Sequence, residues 1–470
     1  MLTTFFCLVV AAHASAASLK HARDSFNPST YAKEDVIERD FAIIGGGAAG
    51  TFAALNLAKK NKSIVLVEAR DRLGGNTRTF HDPAAGVYVD FGVQVHLDDS
   101  TVRDFFDSLD VPLAAPTANQ WGTSAYYDFA KRVALPSFTR GSIGDDYIAQ
   151  LDKYSCVQDL NGLPSSVPEN LLLTWPEYVE KNNLSESSAK GGLSWPATPS
   201  NLLDATALAV LNDGNFIEIA EFSGSGVYSA AHDNSAIFVN ALAQLNPHVL
   251  LESRITAAQR SLSRNDSVLL VAQTPSGQKL IRAKQLILAM PPILDNTQYF
   301  DLDKTEMSIL SNLSGKHYYG GVVNNTGLDD SIAYTNAGVD TLYNVANVPG
   351  IVEVAASAFA GYHFYWYNSI EATTQDTVEE AARSTIKWLQ TQTDASDVEP
   401  TFLDYQDFSP FHLAPPTEDI ANGWYGKMKG LQGYRNTWYI SSLFVVGATQ
   451  IWNNTLNILP DIIQAADLFN

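Results

Sequence analysis

Short apolar runs of strand length alternate along this chain with stretches of helical spacing. Phe41 to Ile44 is one such run, and it stops at the cluster Gly45-Gly46-Gly47. An Ala/Leu-rich stretch to Lys60 follows, then a second apolar run, Ile64 to Val67, closed by Glu68. This order predicts a strand–turn–helix–strand unit. Further on, Phe238 to Leu245 has the apolar spacing of a helix. Val268 to Gln273 and Lys279 to Arg282 alternate and flank Thr274-Pro275-Ser276-Gly277, which predicts a hairpin. Gln285 to Ala289 reads as a buried strand ending at Met290-Pro291-Pro292. In Gly361 to Tyr367 the period of two puts His363, Tyr365 and Tyr367 on one face and Phe364 and Trp366 on the other. These are read first as core and interface aromatics, and second as pocket lining.

The first unit carries candidate chemistry. Gly45-x-Gly47-x-x-Gly50 lies between its first strand and its helix. Gly45 allows the tight turn, Gly47 lets the backbone approach a pyrophosphate, and Gly50 allows helix and strand to pack closely. The first helical turn, which includes Ala49, offers free N–H groups and a positive dipole to an anion. Glu68, at the end of the second strand, is placed to accept hydrogen bonds from a ribose diol. In a plain nicotinamide domain the second strand runs on without another glycine doublet. Here Glu68-Ala69-Arg70-Asp71-Arg72-Leu73-Gly74-Gly75-Asn76-Thr77-Arg78-Thr79 follows.

That stretch resembles the second glycine loop of the flavin-containing amine oxidase superfamily. The resemblance implies that Glu68 binds ribose and that Gly74 and Gly75 meet the diphosphate of FAD, with Arg70 and Thr77 in the same loop. The superfamily's arginine after the glycine pair is Asn76 here, leaving Arg70, Arg72 and Arg78 to supply the missing charge. Val89 to His96 is similar to the segment that re-enters the flavin site, so Gly92, Val93 and Gln94 are expected beside the ring. Leu250 to Ile255 matches the strand whose backbone contacts adenine, at Ile255. In the last flavin-binding strand, Ser441 and Ser442 replace the usual glycine and its small or acidic neighbour. Phe408 to Phe411, Gly423 to Tyr425, Leu431 to Gly433 and Thr437 to Tyr439 resemble one subgroup, the fungal FAD-dependent oxidoreductases of the β-cyclopiazonate dehydrogenase type.

The resemblance implies an α/β architecture with a Rossmann-like FAD-binding domain from 37–120, 226–300 and 402–470. A mixed α+β substrate domain from 121–225 and 301–401 would be interleaved with it. No second complete G-x-G-x-x-G occurs; Gly224-Ser225-Gly226 reaches Ser229 and reads as a loop, which disfavours a built-in NAD(P)H domain. Superfamily amine oxidases place a lysine near flavin N5. The aligned position here is Tyr318, with Lys316 two residues earlier on the same strand face, and the alignment leaves both open.

Composition narrows the rest. Of 470 residues, 46% are hydrophobic and 17% charged, ample for a large core. The formal charge of -21 argues against nucleic-acid and anionic-membrane partners. Phe5 to Ala12 is too short to span a bilayer, and Ala14-Ser15-Ala16 suits signal peptidase, so 1–16 is expected to be a signal peptide. A polar leader, 17–36, would follow. The protein would then be secreted or travel the secretory pathway, with Cys7 removed and Cys156 as its one cysteine. Sequons begin at Asn61, Asn183, Asn265, Asn312, Asn324 and Asn453 and permit glycosylation. With no cysteine near the C-terminus for a thioether, FAD is expected to be non-covalent.

The scattered histidines show no metal-ligand pair, there is no G-x-S-x-G elbow, and Asp145-Asp146 and Asp329-Asp330 read as solvated loop acids. The expected function is FAD-dependent two-electron oxidation of a small organic metabolite, with oxygen or another acceptor and with ring closure as an extension. Two alternatives stay open: a flavin-dependent double-bond isomerase, and a non-catalytic binding protein retaining the fold.

Overall fold

The computed structural model describes residues 25–116, 122–193 and 202–469, so the expected signal segment and the boundary near residue 120 lie outside the described residues. The leader's described part makes two short 3-10 turns, Pro28–Thr30 and Lys33–Asp35. Strand β1 (Val36–Ile44) then enters the centre of a seven-stranded sheet. Helix α1 (Ala48–Lys59) and strand β2 (Ile64–Val67) complete the predicted unit, and β2 pairs parallel to β1. Val249–Leu250 adds to the free edge of β2, also in parallel.

The expected hairpin arm and buried strand are one continuous element, Gly277–Leu288. Val268–Thr274 pairs with it antiparallel, and Arg254–Gln259 pairs with Val268–Thr274 in turn. Along its length the same strand runs parallel to β1, and its last residues also accept Thr437–Tyr439.

Side chains alternate across this sheet with period two. Phe41, Ile43, Leu66 and Ile287 pack under α1, Ser100–Asp107, Ala236–Leu245 and Ala448–Asp467. Ala42, Ile44, Val65, Leu286 and Leu288 face the other way, onto Tyr147, Trp175, Leu211, Leu310 and Trp424. Each large side chain fully buried in this way contributes about 1.5–3 kcal/mol.

The second sheet runs Thr401–Asp407, Ser314–Asn324, Tyr362–Ser369, Gly350–Ala356, Ile332–Asn336, Thr123–Asp128, Val133–Ala134. Phe411–Ala414 pairs with the start of Ser314–Asn324. The expected domain limit at 401/402 therefore moves. Thr401–Asp407 and Phe411–Ala414 belong to the substrate-side sheet, and the last stretch rejoins the first sheet at Thr437. The alternating aromatic strand behaves as its period predicts. Tyr365 and Tyr367 face Gln375–Gln392, whereas Phe364 and Trp366 face Phe91 and Val89.

A buried ionic network ties the end of Arg254–Gln259 to Asp301, Glu306 and the start of Thr437–Tyr439. The Arg260 side chain is 0% exposed and pairs with Asp301 at 2.8 Å and Glu306 at 2.7 Å. It also donates to Phe300 O and Thr437 Oγ1. Arg435 reaches the same two acids at 2.6 and 2.8 Å. Removing one partner leaves an uncompensated buried charge. E306A is expected to lower stability by about 3–5 kcal/mol, read as a fall in the denaturant midpoint, with E306Q costing less.

Candidate active site

The predicted site loops converge at the carboxyl ends of parallel strands. β1 ends into Gly45, β2 into Glu68, Gly277–Leu288 into Ala289, and Thr437–Tyr439 into Ser441. This edge of an open parallel sheet is where ligands bind. A Cβ on Gly50 would collide with the Gly45 carbonyl, so only glycine lets α1 approach β1 this closely. Gly47 and Gly75 bring the two glycine loops together. A Cβ on Gly75 would stand 2.9 Å from the Gly47 Cα, whereas one on Gly47 would meet nothing closer than 3.7 Å. No side chain caps α1 at Gly47, and its first intrahelical bond is Thr51 N–H to Gly47 O. The amides of Ala48, Ala49 and Gly50 are therefore available to an anion.

Glu68 is 9% exposed and accepts from Gly46 N at 2.6 Å and Arg70 N at 2.7 Å. A carboxylate has about four acceptor sites, which leaves capacity for a diol. The backbone of Glu68 and Arg70 is bonded by Leu250, Glu252 and Ser253, so Ile255, itself buried, follows directly from the strand edge beside Glu68. Gly74 O accepts from Thr77 N, closing the second loop. Asn76 sits in that turn, and its side chain makes no hydrogen bond among the described residues.

The three arginines of this loop have different roles. Arg78 is committed to Asp404 at 2.8 Å. Arg70 donates to Gly75 O, and Arg72 to the carbonyls of Leu73, Gly75 and Thr77. Burial, followed by the charges of Arg78 and Arg70, brings the Arg72 guanidinium down to about 10. Arg70 and Arg72 therefore shape the loop and place positive charge beside it.

The re-entering segment lies against this loop. Gly92 N donates to Arg78 O at 3.3 Å, and Asn234 Nδ2 donates to Val93 O and Gln94 O at 3.0 Å each. Gln94 Nε2 turns back to Asp90 O. Asp90, bonded by Thr79 and Asn234 N, is pushed well above the usual carboxylate range by burial. His96 points away from the loops, stacked on Trp452 at 5.0 Å, and burial lowers its imidazole to about 3. Asn234 lies in a polar turn with no motif around it, so nothing in the sequence marks it.

Tyr318 and Lys316 share a strand face but not an environment. Tyr318 is 5% exposed and packs on Phe411, Phe408 and Trp366 at 5.1, 5.6 and 6.4 Å. Trp366 Nε1 donates to Phe91 O at 2.9 Å, which places this aromatic group directly against Phe91-Gly92. Lys316 pairs in register with Phe411 nearer the strand's outer end and is half-exposed. Burial raises the Tyr318 phenol far above its usual value, with Glu353 adding to the effect. Asp146, expected as a loop acid, lies in the first turn of Asp145–Lys153; it bonds Ser188 and the amides of Ser185 and Tyr147.

Ser441 and Ser442 emerge beside Ala289. Ser441 Oγ is buried without a partner, and Ser442 is exposed. Close by, Gly447 precedes the long helix Ala448–Asp467 and abuts Glu218, whose Oε1 is also buried and unpartnered. Glu221 accepts from Leu97 N at 2.8 Å. The one sequence signal for this corner is a small triplet, Gly447-Ala448-Thr449, before an amphipathic stretch. These observations fit a dinucleotide: two facing glycine loops, an uncapped helix start, an acid with spare acceptor capacity and orphaned hydroxyl and carboxyl groups.

Burial pushes Glu221 up to about 7 and Glu218 well above the carboxylate range. Between the unfolded value near 4.5 and the folded value, the native state holds a proton that the unfolded chain has released. Stability present below the unfolded value is therefore lost as pH rises toward 7. E221Q is expected to reduce this slope by about 1.4 kcal/mol per pH unit, measured by urea unfolding at pH 5, 6 and 7.

Comparison with known proteins agrees with this geometry. Residues 43–109 match the family model described as an NAD(P)-binding Rossmann-like domain. The chain is 46% identical to the FAD-dependent oxidoreductase dbaF of Emericella nidulans over 95% of this chain and 96% of that one. It is 24% identical to β-cyclopiazonate dehydrogenase of Aspergillus oryzae over 91% and 94%. The fold superposes on a conjugated-linoleic-acid-producing fatty acid isomerase from P. acnes with a TM-score of 0.68 at 17% identity, covering 90% of this chain and 98% of that one. It also superposes on cyclohexylamine oxidase from Brevibacterium oxydans with a TM-score of 0.65 at 15% identity, covering 91% and 99%. Likeness at those identities concerns the fold alone. The expected amine-oxidase-like α/β fold and the FAD cofactor both stand, and the chain belongs to the FAD-dependent oxidoreductases.

Proposed function

We propose that this enzyme oxidises a small organic metabolite by two electrons: a hydride leaves a carbon held against the Tyr318–Trp366 face, and a proton leaves the adjacent atom to solvent as the double bond forms. One observation carries the reading: the Trp366–Phe91 hydrogen bond sets that face directly beside Gly92 to Gln94. FAD, when bound, would supply the hydride acceptor, with oxygen or another small molecule as the final oxidant. The amides at Ala48, Ala49 and Gly50, with Gly47, Gly74 and Gly75, hold the diphosphate. Glu68 holds the ribose, Ile255 meets adenine through its backbone, and Ser441 bonds the ribityl hydroxyls.

Tyr318 remains a protonated phenol at neutral pH because burial disfavours its anion. It therefore orients the substrate as a hydrogen-bond donor and packing surface and does not act as a base. The aromatic faces of Trp366 and Phe411 exclude water from the same region. Ring closure coupled to the oxidation extends this reading to substrates with a nucleophile close to the oxidised carbon.

G47D is expected to lose at least tenfold of bound FAD while keeping its far-UV dichroism, since the added carboxylate fills the diphosphate space. Unchanged visible flavin absorbance would remove Gly47 from that role. A panel of small aryl and alkenyl metabolites, screened anaerobically for bleaching of the flavin, identifies substrates. With any of these, Y318F is expected to slow bleaching 10- to 100-fold and K316M less than threefold. A reversed order would put Lys316 at the reacting centre.

A further inference from the structure

The substrate-side sheet continues the Tyr318 face toward a cavity of about 100 Å³. Register connects the two. Trp366 lies opposite Glu353, Glu353 opposite Thr335, and Thr335 opposite Tyr126, while Tyr318 lies opposite Asn368. Asn368 is 5% exposed, lines the cavity and has a buried Oδ1 without a partner.

The cavity's charge is opposite to that of the protein. The chain carries -21, yet among the described residues the charged side chains lining this cavity are Arg140 and Lys190, with no carboxylate. Lys190 is engaged, paired with Glu186 at 2.7 Å and lying over the Phe138 ring. Arg140 makes no hydrogen bond or ion pair among the described residues. Glu353 does not fill that role: its carboxylate accepts from Thr335 at 2.7 Å, and it does not line the cavity. Burial lowers the Arg140 guanidinium, opposed by Glu353 and Tyr126. Arg140 is half-buried, and its unbonded guanidinium is free to form charge-assisted hydrogen bonds with an entering anion. Tyr126 and Phe138, in edge contact at 4.8 Å, supply an aromatic wall beside it.

We infer that Arg140 is a specificity residue that binds a carboxylate on the substrate, anchoring a flat apolar molecule whose far end lies at Tyr318. The substrate class is thus an aryl or alkenyl carboxylic acid. This rests on the proposed reading of Tyr318 as facing the flavin.

The test uses the FAD-loaded full chain with 3-phenylpropanoate and its neutral isostere 3-phenylpropanamide, at neutral pH. Binding is followed by calorimetry and by perturbation of the flavin spectrum. The carboxylate is expected to bind at least tenfold more tightly than the amide. R140Q should remove that preference with amide binding and flavin content unchanged, and R140K should restore part of it. A preference that is absent in the wild type, or that survives R140Q, overturns the assignment to Arg140. If R140Q folds poorly, R140K decides: retention of charge without the planar fork should still weaken the carboxylate several-fold, and an unchanged affinity counts against the inference. A full chain that cannot be loaded with flavin overturns the flavoenzyme reading instead. Flavin loaded with no carboxylate preference overturns this inference alone.

Discussion

The contact between α1 and β1 is the constraint on which the rest depends. Gly50 lies on the Gly45 carbonyl with no room for a side chain, and this brings the start of the helix to the end of the strand. Every other cofactor contact is measured from that point. Gly75 can face Gly47 only because it lacks a side chain, and the Glu68 carboxylate is fixed by the Gly46 amide of the same turn. Because helix propensity is cheap to replace and this steric fit is not, substitutions along α1 differ sharply in consequence.

The second sheet is brought to this point by a shared apolar cluster, in which Val89 and Phe91 pack on Phe364 and Trp366, and by polar ties across it. Arg78–Asp404, Arg72–Gln406 and Trp366–Phe91 cross from the cofactor loops to the substrate-side strands. Each involves a residue within or next to the loop Glu68 to Gly92. The joint between the two sheets thus depends on the same short stretch that carries the second glycine loop. Of the loop arginines, Arg78 is spent on this joint, whereas Arg70 and Arg72 mainly bond carbonyls of their own loop.

The stretch from Gly45 to Thr79 was legible in the sequence because its information is local. Strand, turn, helix and acid follow one another, and each residue type is dictated by its neighbours. The faces of Gly361 to Tyr367 were legible for the same reason, since alternation needs no partner. What sequence could not supply was register between distant strands. Thr401–Asp407 reads as a strand in any sheet, and its pairing with Ser314–Asn324 is decided 80 or so residues away, so the expected domain limit fell in the wrong place. Tyr318 and Lys316 were inseparable because strand parity gives them one face; the crossing of Phe411–Ala414 separates their surroundings. Arg140 follows an edge strand with no motif around it, and it becomes notable only when its empty coordination is seen.

The single strand Gly277–Leu288 has a consequence for how such enzymes diversify. One arm belongs to a hairpin, the other to the parallel core, so the cofactor scaffold is locked as a unit. On the second sheet, by contrast, one face carries a row of side chains drawn from separate strands: Trp366, Glu353, Thr335 and Tyr126. Of these positions only Trp366 is tied to the loop Glu68 to Gly92, through Phe91; Glu353, Thr335 and Tyr126 lie on strands away from it. Side chains at Glu353, Thr335 and Tyr126 can therefore change without disturbing the strand that carries the glycine turn.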